Sequence, residues 1–191
     1  FMAFGFRSIN TAKRGLDFSA GVKFHAPPEP FVKASYRRVW QISQNNLLHV
    51  RPIVYWRDEE GFGSTLTAEI DHIINSAMLL RWRNFGNVSE NKEVEGVDWG
   101  STVLLFQALS NRRALTYSVF VRGETKAEIT TKNFGLEFRY RQRFLRDWLF
   151  IEYIGGVSWP RELLSEKREM NFGSGLLLEA YFGPAPDDWV R

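Results

Sequence analysis

The chain has 191 residues, enough for one domain, and its 25 basic and 22 acidic residues give a net charge of +3. This near balance argues against a dedicated nucleic-acid binder, and the absence of cysteine excludes disulfide scaffolds and thiolate metal sites. Mean hydropathy is −0.29, and no uncharged apolar run approaches the roughly eighteen residues of a membrane-spanning helix, so an α-helical membrane protein is excluded.

The opening segment, Phe1 to Phe6, has neither the charged start nor the small-residue cleavage site of a signal peptide. Its pattern is typical of the middle of a β-strand. We therefore expect further sequence upstream of residue 1.

Apolar and polar residues alternate with a period of two along almost the whole chain. In the clearest segment, Phe138 and Tyr140 fall on one face, and Arg139 and Arg141 fall on the other. Because successive side chains of a strand point to opposite faces, this pattern predicts strands rather than helices. After the opening segment, the alternating cores of the predicted strands are 16–24, 32–40, 48–57, 65–71, 78–83, 97–108, 115–122, 134–144, 149–159 and 171–182. The segment 97–108 is apolar on both faces at one end. Its pattern therefore does not show which of its residues face the lipid and which face the lumen.

The connections between these strands alternate between tight turns and longer polar loops. The predicted tight turns are 44–46, 74–76, 110–112 and 145–147, and the predicted long loops are 25–30, 58–63, 87–96, 123–133 and 160–169. This asymmetry and strands of about ten residues are typical of outer-membrane barrels, with the tight turns in the periplasm.

The predicted fold is an all-β, transmembrane, antiparallel up-and-down β-barrel of about 10–12 strands. We expect residues 1–183 to form the barrel and residues 184–191 to be a C-terminal tail. The opening segment would be an eleventh strand that lacks its partner, which implies a twelve-stranded parent. The alternative is ten strands with a short N-terminal tail.

Tryptophans are predicted at two levels along the strands, which is the pattern expected where a barrel crosses the two membrane–water interfaces. The interface set comprises Trp56, Trp82, Trp99 and Trp159 toward the long loops, and Trp40 and Trp148 near the tight turns.

Three short segments carry a resemblance to known proteins. Residues 175–182, Gly-Leu-Leu-Leu-Glu-Ala-Tyr-Phe, resemble the last strand of bacterial outer-membrane proteins, which ends in an aromatic residue. The resemblance implies that the barrel-assembly machinery reads Phe182, although the chain continues for nine residues beyond it. Residues 28–38 and 138–150 are similar to segments of uncharacterised proteobacterial outer-membrane proteins, a family that implies no activity.

The polar face of the predicted strands would line the lumen. The charged residues assigned to the lumen are Arg37, Arg51, Arg81, Arg83, Arg139, Arg141 and Arg143, with the carboxylates Glu69, Glu137, Glu152 and Glu179. Rings of basic side chains favour anions, which predicts a narrow, anion-preferring pore. Alternatively, these charges pair across neighbouring strands and plug the lumen.

The three histidines, His25, His49 and His72, show no metal-ligand spacing. Asp71 and His72 are adjacent and point to opposite faces of a strand, so they cannot form a dyad. His49 could meet a serine across strands, but a nucleophile needs a base within hydrogen-bond reach, which spacing does not report. We expect no catalytic residues, no metal and no cofactor.

The sequence thus favours an outer-membrane barrel that acts as a narrow pore or as an anchoring subunit of an envelope assembly. The alternatives are a barrel enzyme that acts on lipid or peptide, and a soluble all-β ligand-binding barrel. Expected partners are outer-membrane lipid or lipopolysaccharide, the barrel-assembly machinery and other envelope proteins, but no nucleic acid.

Overall fold

A computed structural model describes residues 2–10, 13–23, 29–58, 61–90, 96–144 and 148–180. These residues form one antiparallel sheet of eleven strands, in which each strand pairs with the next along the chain. The strands are β1 (Met2–Asn10), β2 (Arg14–Lys23), β3 (Glu29–Ser43), β4 (Asn46–Arg57), β5 (Gly61–Asn75), β6 (Met78–Ser89), β7 (Asp98–Ser110), β8 (Arg113–Glu124), β9 (Thr131–Arg143), β10 (Leu149–Ser158) and β11 (Asn171–Ala180). In the described part of the chain, no helix is long and apolar enough to cross a membrane.

The strand order confirms the predicted up-and-down topology, and the opening segment forms β1, paired with β2. Tight turns such as 44–45, 76–77 and 111–112 alternate with longer connections such as 90–97, 125–130 and 159–170. The predicted long loops 58–63, 87–96 and 123–133 extended too far, because strands continue into their polar residues, whereas the connection 159–170 is wider than the predicted loop 160–169. β5 already begins at Gly61, so its connection to β4 has only three residues, 58–60.

The register assigns each side chain to one of two faces, since directly opposed residues share a face. Tyr117, Phe138 and Gly155 are aligned across β8, β9 and β10 on one face, and Thr116, Arg139 and Ile154 are aligned on the other. The first face is apolar and exposed: Phe172 is 77% and Leu176 68% accessible. On the second face, Asp71 is only 4% accessible. The sheet therefore curves around its polar face, called the inner face below.

Strand β7 shows why its sequence pattern did not assign its facing. Val103 and Leu105 pair with Trp82 and Leu80 on the apolar outer face, while Leu104 pairs with Arg81 on the inner face. Phe106 also lies on the inner face, where the guanidinium of Arg81 lies over its ring at 5.5 Å. The inner face of β7 is thus apolar because its leucine and phenylalanine pack against an arginine of β6.

On the inner face, four aromatic residues stand directly opposite glycines of an adjacent strand. The opposed pairs are Phe31–Gly21, Tyr55–Gly63, Phe85–Gly100 and Phe120–Gly135. Each pair joins two strands that are connected at the long-loop end. A Cβ at any of the last three glycines would overlap the opposing ring, so these positions have no room for a side chain. The rings therefore pack against the strand backbone at the long-loop end of the sheet.

Candidate functional site

The candidate site is the inner face, to which every strand from β2 to β11 contributes at least one charged residue. All eleven charged residues assigned to the lumen from sequence lie on this face, on β3, β4, β5, β6, β9, β10 and β11. Their contacts divide the face into two ion-pair clusters and one strip in which basic residues predominate.

The β4–β6 cluster contains His49, Glu69, Asp71, Arg81 and Arg83. Arg81 donates from Nε and Nη2 to the two carboxylate oxygens of Asp71, at 2.6 and 2.8 Å. His49 Nε2 lies 3.2 Å from Asp71 Oδ2. Glu69 accepts from Arg83 Nε, and its other oxygen lies 3.6 Å from Arg81 Nη1. The cluster thus ties three neighbouring strands together with charge-assisted contacts.

The β9–β11 cluster contains Glu137, Arg139, Arg141, Glu152 and Glu179. Arg139 donates to Glu137 on its own strand and to Glu152 Oε1 on β10, the latter at 3.1 Å. Arg141 Nη2 donates to Glu179 Oε2 at 2.6 Å, although these residues lie two strands apart. The guanidinium of Arg141 also lies over the Phe150 ring, 4.5 Å from its centroid. Each of the three carboxylates therefore has an arginine partner.

The β3–β4 basic strip consists of Lys33, Arg37, Arg51 and Arg57. The register on either side, Ser35 with Ile53 and Arg38 with Val50, places Arg37 opposite Arg51. Lys33 lies within electrostatic range of both Arg51 and Arg57. The basic side chains are thus close enough to repel one another.

Arg51 is the residue of the strip with the clearest unused hydrogen-bonding capacity. Its Nη2 donates to the hydroxyl of Ser35 at 3.1 Å. Its Nε is buried and has no hydrogen-bond partner among the described residues. Arg57, in contrast, lies over the ring of Tyr55 at 4.5 Å, and the Tyr55 hydroxyl donates to Asn87 Oδ1 at 3.0 Å. A buried guanidinium nitrogen without an acceptor favours the approach of an anion.

Sequence reasoning did not connect His49 with Asp71. His49 lies directly opposite Glu69 on β5, and Asp71 is two residues further along the same face. Pairing β4 with β5 across their connection would have brought them together, but the connection was predicted twice as long as it is. In the described part of the chain, no group of three or more His, Cys, Asp or Glu residues could hold a metal ion.

One tryptophan departs from its predicted level, because the register aligns Trp82 with Trp40, through Leu48 and Ile70, toward the tight turns. Trp56, Trp99 and Trp159 lie at the long-loop ends of their strands, and Trp40 and Trp148 lie near tight turns. Trp82 was placed at the long-loop level, but it is the fifth residue of β6, which starts at the tight turn 76–77 and continues to Ser89. Its indole donates to the Ser101 hydroxyl at 2.8 Å on the outer face. Phe182, the predicted assembly-signal aromatic, lies outside the described residues.

Comparison with solved structures identifies the fold. The chain superposes on the KdgM porin with a TM-score of 0.59 at 6% identity, over 94% of this chain and 90% of the porin. A second structure, the KdgM porin in complex with disordered oligogalacturonate, gives a TM-score of 0.61 at 8% identity with the same coverage. The chain has a porin-like transmembrane β-barrel fold. No family model and no curated protein sequence matches it.

The comparison and the facing together contradict the soluble-barrel alternative. A soluble barrel would bury its apolar face, whereas this sheet exposes that face and buries the charged one. Such an extensive apolar surface needs a nonpolar solvent. The fold-level resemblance to outer-membrane barrels is confirmed, while the resemblance of short segments to proteobacterial proteins has no sequence match to support it.

Proposed function

We propose that the chain forms a narrow outer-membrane channel that passes small anionic solutes without enzymatic activity. The observation that carries the proposal is the basic strip, in which Arg51 keeps a buried Nε without a hydrogen-bond partner among the described residues. A fold shared with porins supports a channel. The long connections would face the exterior and the tight turns the periplasm.

Anion preference follows from how the charges are distributed rather than from their number. The carboxylates of the two clusters are engaged by arginines, so much of their field is compensated locally. On the inner face of β3 and β4, four basic residues stand beside the carboxylate of Glu29, which is 6% accessible, and Asp17 on β2 acts electrostatically on Lys33. Basic residues still outnumber carboxylates here, so an anion in the lumen would meet a net positive potential along this strip.

Acidic oligosaccharides are the solute class that fits the strip best. Arg51 and Arg57 are six residues apart on β4, which is about 20 Å at roughly 3.4 Å per residue. An extended acidic sugar chain could therefore contact several of the basic side chains at once. One of the two porin structures of the same fold is a complex with oligogalacturonate, an oligosaccharide of this kind.

The decisive experiment is ion selectivity in planar bilayers. We expect the protein to require detergent, to insert and to conduct with anions favoured over cations. Arg51→Glu should shift the reversal potential in a salt gradient toward cations, because it reverses a charge in the strip. Arg112→Glu is the matched control, since the same charge change then falls in the exposed turn between β7 and β8.

Three results would contradict parts of this proposal. Protein that stays monodisperse without detergent would exclude a membrane barrel. Inserted protein that does not conduct would favour a lumen plugged by its ion pairs, and with it the anchoring role. Conductance whose selectivity is unchanged in Arg51→Glu would exclude the strip as the anion-selective element.

A further inference from the structure

The outer face of the sheet has a shallow groove near the long-loop end of β7, β8 and β9. Aliphatic side chains that the register aligns across the three strands, Val103, Val119 and Leu136, line it. Phe134 and Trp159 lie at its long-loop end, with their rings stacked at 5.4 Å between centroids. The groove has a volume of about 420 Å³, and apolar grooves of this size hold apolar ligands. Its shape and lining therefore suit an acyl chain.

The β9–β10 ladder continues beyond the aromatic pair into the connection 159–170. The Trp159 amide donates to the Phe134 carbonyl at 2.9 Å, which places the two rings on adjacent strands at the same height. One step further out, the Arg161 amide donates to the Lys132 carbonyl at 2.7 Å. The guanidinium of Arg168 lies over the Phe134 ring, 5.1 Å from its centroid. Basic residues thus border the groove on the side of the long loops.

The connection 159–170 is held in shape by its own charged side chains. Arg161 donates from Nε to the Leu163 carbonyl at 3.2 Å and from Nη2 to the Leu164 carbonyl at 2.6 Å. The carboxylate of Glu166 accepts from the amides of Glu162 and Leu163, both at 3.2 Å. A connection tied down in this way presents its basic groups in a fixed arrangement, which lowers the cost of ordering them around a ligand.

Both arginines keep hydrogen-bonding capacity for a ligand. Arg168 donates from Nη1 to the Trp159 carbonyl at 2.7 Å and from Nη2 to the Thr131 carbonyl. A guanidinium has five N–H donors, and the carbonyl contacts of Arg161 and Arg168 each use two of them.

The acidic residues of the connection do not neutralise these two arginines directly. Glu162, Glu166 and Glu169 are exposed, and among the described residues no carboxylate forms an ion pair with Arg161 or Arg168. The two guanidinium groups therefore stay available to an anion, and their planar forks match the oxygens of phosphate.

We propose that Arg161 and Arg168 bind a phosphate group of lipopolysaccharide, while one of its acyl chains lies in the groove along Val119 and Leu136. The order along the outer face, from aliphatic groove to aromatic pair to guanidinium groups, matches the order from acyl chain to headgroup of a lipid. Lipopolysaccharide is the lipid of the external leaflet, which the long connections face. The site rests on the membrane placement and orientation in the proposed function but not on conduction.

The test measures lipid binding to the purified full chain in a neutral detergent. Lipid A, the same lipid A with its phosphates removed, and phosphatidylglycerol are titrated separately, and bound lipid is counted by native mass spectrometry. We expect lipid A to bind about 25-fold more tightly than its dephosphorylated form, because each of two basic residues contributes about fivefold at an anionic surface. Phosphatidylglycerol should bind more weakly than lipid A.

The variants separate the phosphate contact from the groove. Arg161→Gln and Arg168→Gln should each lower the preference for phosphorylated lipid A about fivefold and leave binding of the dephosphorylated form within a factor of two. Leu136→Ala should weaken both forms alike, by about fourfold, which is the effect of roughly one buried methylene group. Arginine variants that weaken both forms equally would show a structural effect only and would overturn the phosphate contact.

Arg122→Gln is the matched control. Arg122 follows Val121, which pairs with Phe134, so it lies at the same height of the sheet but on the inner face. Its substitution removes the same charge and should leave the preference for phosphorylated lipid A within a factor of two of the wild-type protein. An equal loss in Arg122→Gln and Arg168→Gln would overturn the site.

The remaining outcomes separate this inference from the channel proposal. Protein that inserts and conducts but binds both forms of lipid A equally would overturn the lipid site alone. Equal affinity for phosphatidylglycerol and lipid A would overturn lipopolysaccharide as the occupant. Protein that does not insert into vesicles would overturn the membrane placement on which both proposals depend.

Discussion

The two ion-pair clusters and the basic strip lie on the same inner face but use their charges differently. In the clusters, carboxylates such as Asp71 and Glu152 are less than 9% accessible and bonded to arginines from the same or neighbouring strands. In the strip, basic residues face one another, and Arg51 bonds to a serine hydroxyl rather than to a carboxylate. The clusters therefore link strands, while the strip leaves positive charge for a solute.

This difference has unequal consequences for stability in the two regions. Removing one partner of a buried ion pair leaves a charge without compensation, which is strongly destabilising. Removing one of several like charges relieves repulsion and costs little. Substitutions in the clusters should therefore lower the free energy of unfolding much more than substitutions in the strip.

The largest effect is expected for Asp71→Ala. Arg81 would lose both of its hydrogen bonds to the carboxylate, and His49 would lose its contact. We expect a loss of about 3 kcal/mol in the free energy of unfolding, measured by reversible urea unfolding in lipid vesicles.

Two variants control this prediction. Asp71→Ala combined with Arg81→Leu should recover part of the loss, because it removes the uncompensated charge as well. Arg51→Gln, in the strip, should change stability by less than about 0.5 kcal/mol. Equal losses in Asp71→Ala and Arg51→Gln would refute the distinction between cluster and strip.

A smaller difference is expected between the glycines beside the two regions. A Cβ at Gly135 would meet the Val157 carbonyl oxygen of the backbone as well as the Phe120 ring, whereas at Gly63 the nearest atoms all belong to the Tyr55 side chain. Backbone cannot yield as a ring can, so Gly135→Ala should cost about 3 kcal/mol and Gly63→Ala about 1–2 kcal/mol.

The same urea unfolding series measures both alanine variants. Gly173→Ala on the inner face of β11 is the control, since a Cβ there has open space. A larger loss in Gly63→Ala than in Gly135→Ala would show that the wall carrying the strip is the more rigid one.

The sequence was sufficient for the features that depend on a period of two. The facing of Arg139 and Phe138, the succession of strands and the turns at 44–45 and 111–112 follow from alternation, because one side chain in two must avoid the apolar exterior. The turn predicted at 74–76 lies at 76–77, and the turn predicted at 145–147 lies outside the described residues. Where both faces are apolar, as in β7, alternation carries no information. Leu104 and Phe106 face inward because Arg81 and its neighbours provide something to pack against.

The pairing of charges depends on register, which alternation leaves open. The predicted connection 58–63 would have shortened β5 and hidden the position of His49 opposite Glu69. Arg141 reaches Glu179 across an intervening strand, a contact that requires the curvature of the sheet. The predicted level of Trp82 was wrong for a similar reason. β6 continues to Ser89, into the predicted loop 87–96, so Trp82 lies farther from the loop end of its strand than the sequence pattern indicated.

The smallest expected effect is that of added salt. It tests the comparison between the ion-pair clusters and the basic strip without a substitution. Raising ionic strength from about 0.1 M to about 1 M shortens the screening length from about 10 Å to about 3 Å. Screening should weaken the repulsion within the strip, so the wild-type protein should gain a few tenths of a kcal/mol in its free energy of unfolding. Arg51→Gln should gain less, because part of that repulsion is already gone. A wild-type protein that loses stability in salt would mean that attraction in the clusters is screened more than repulsion in the strip, contrary to the low accessibility of Asp71 and Glu152.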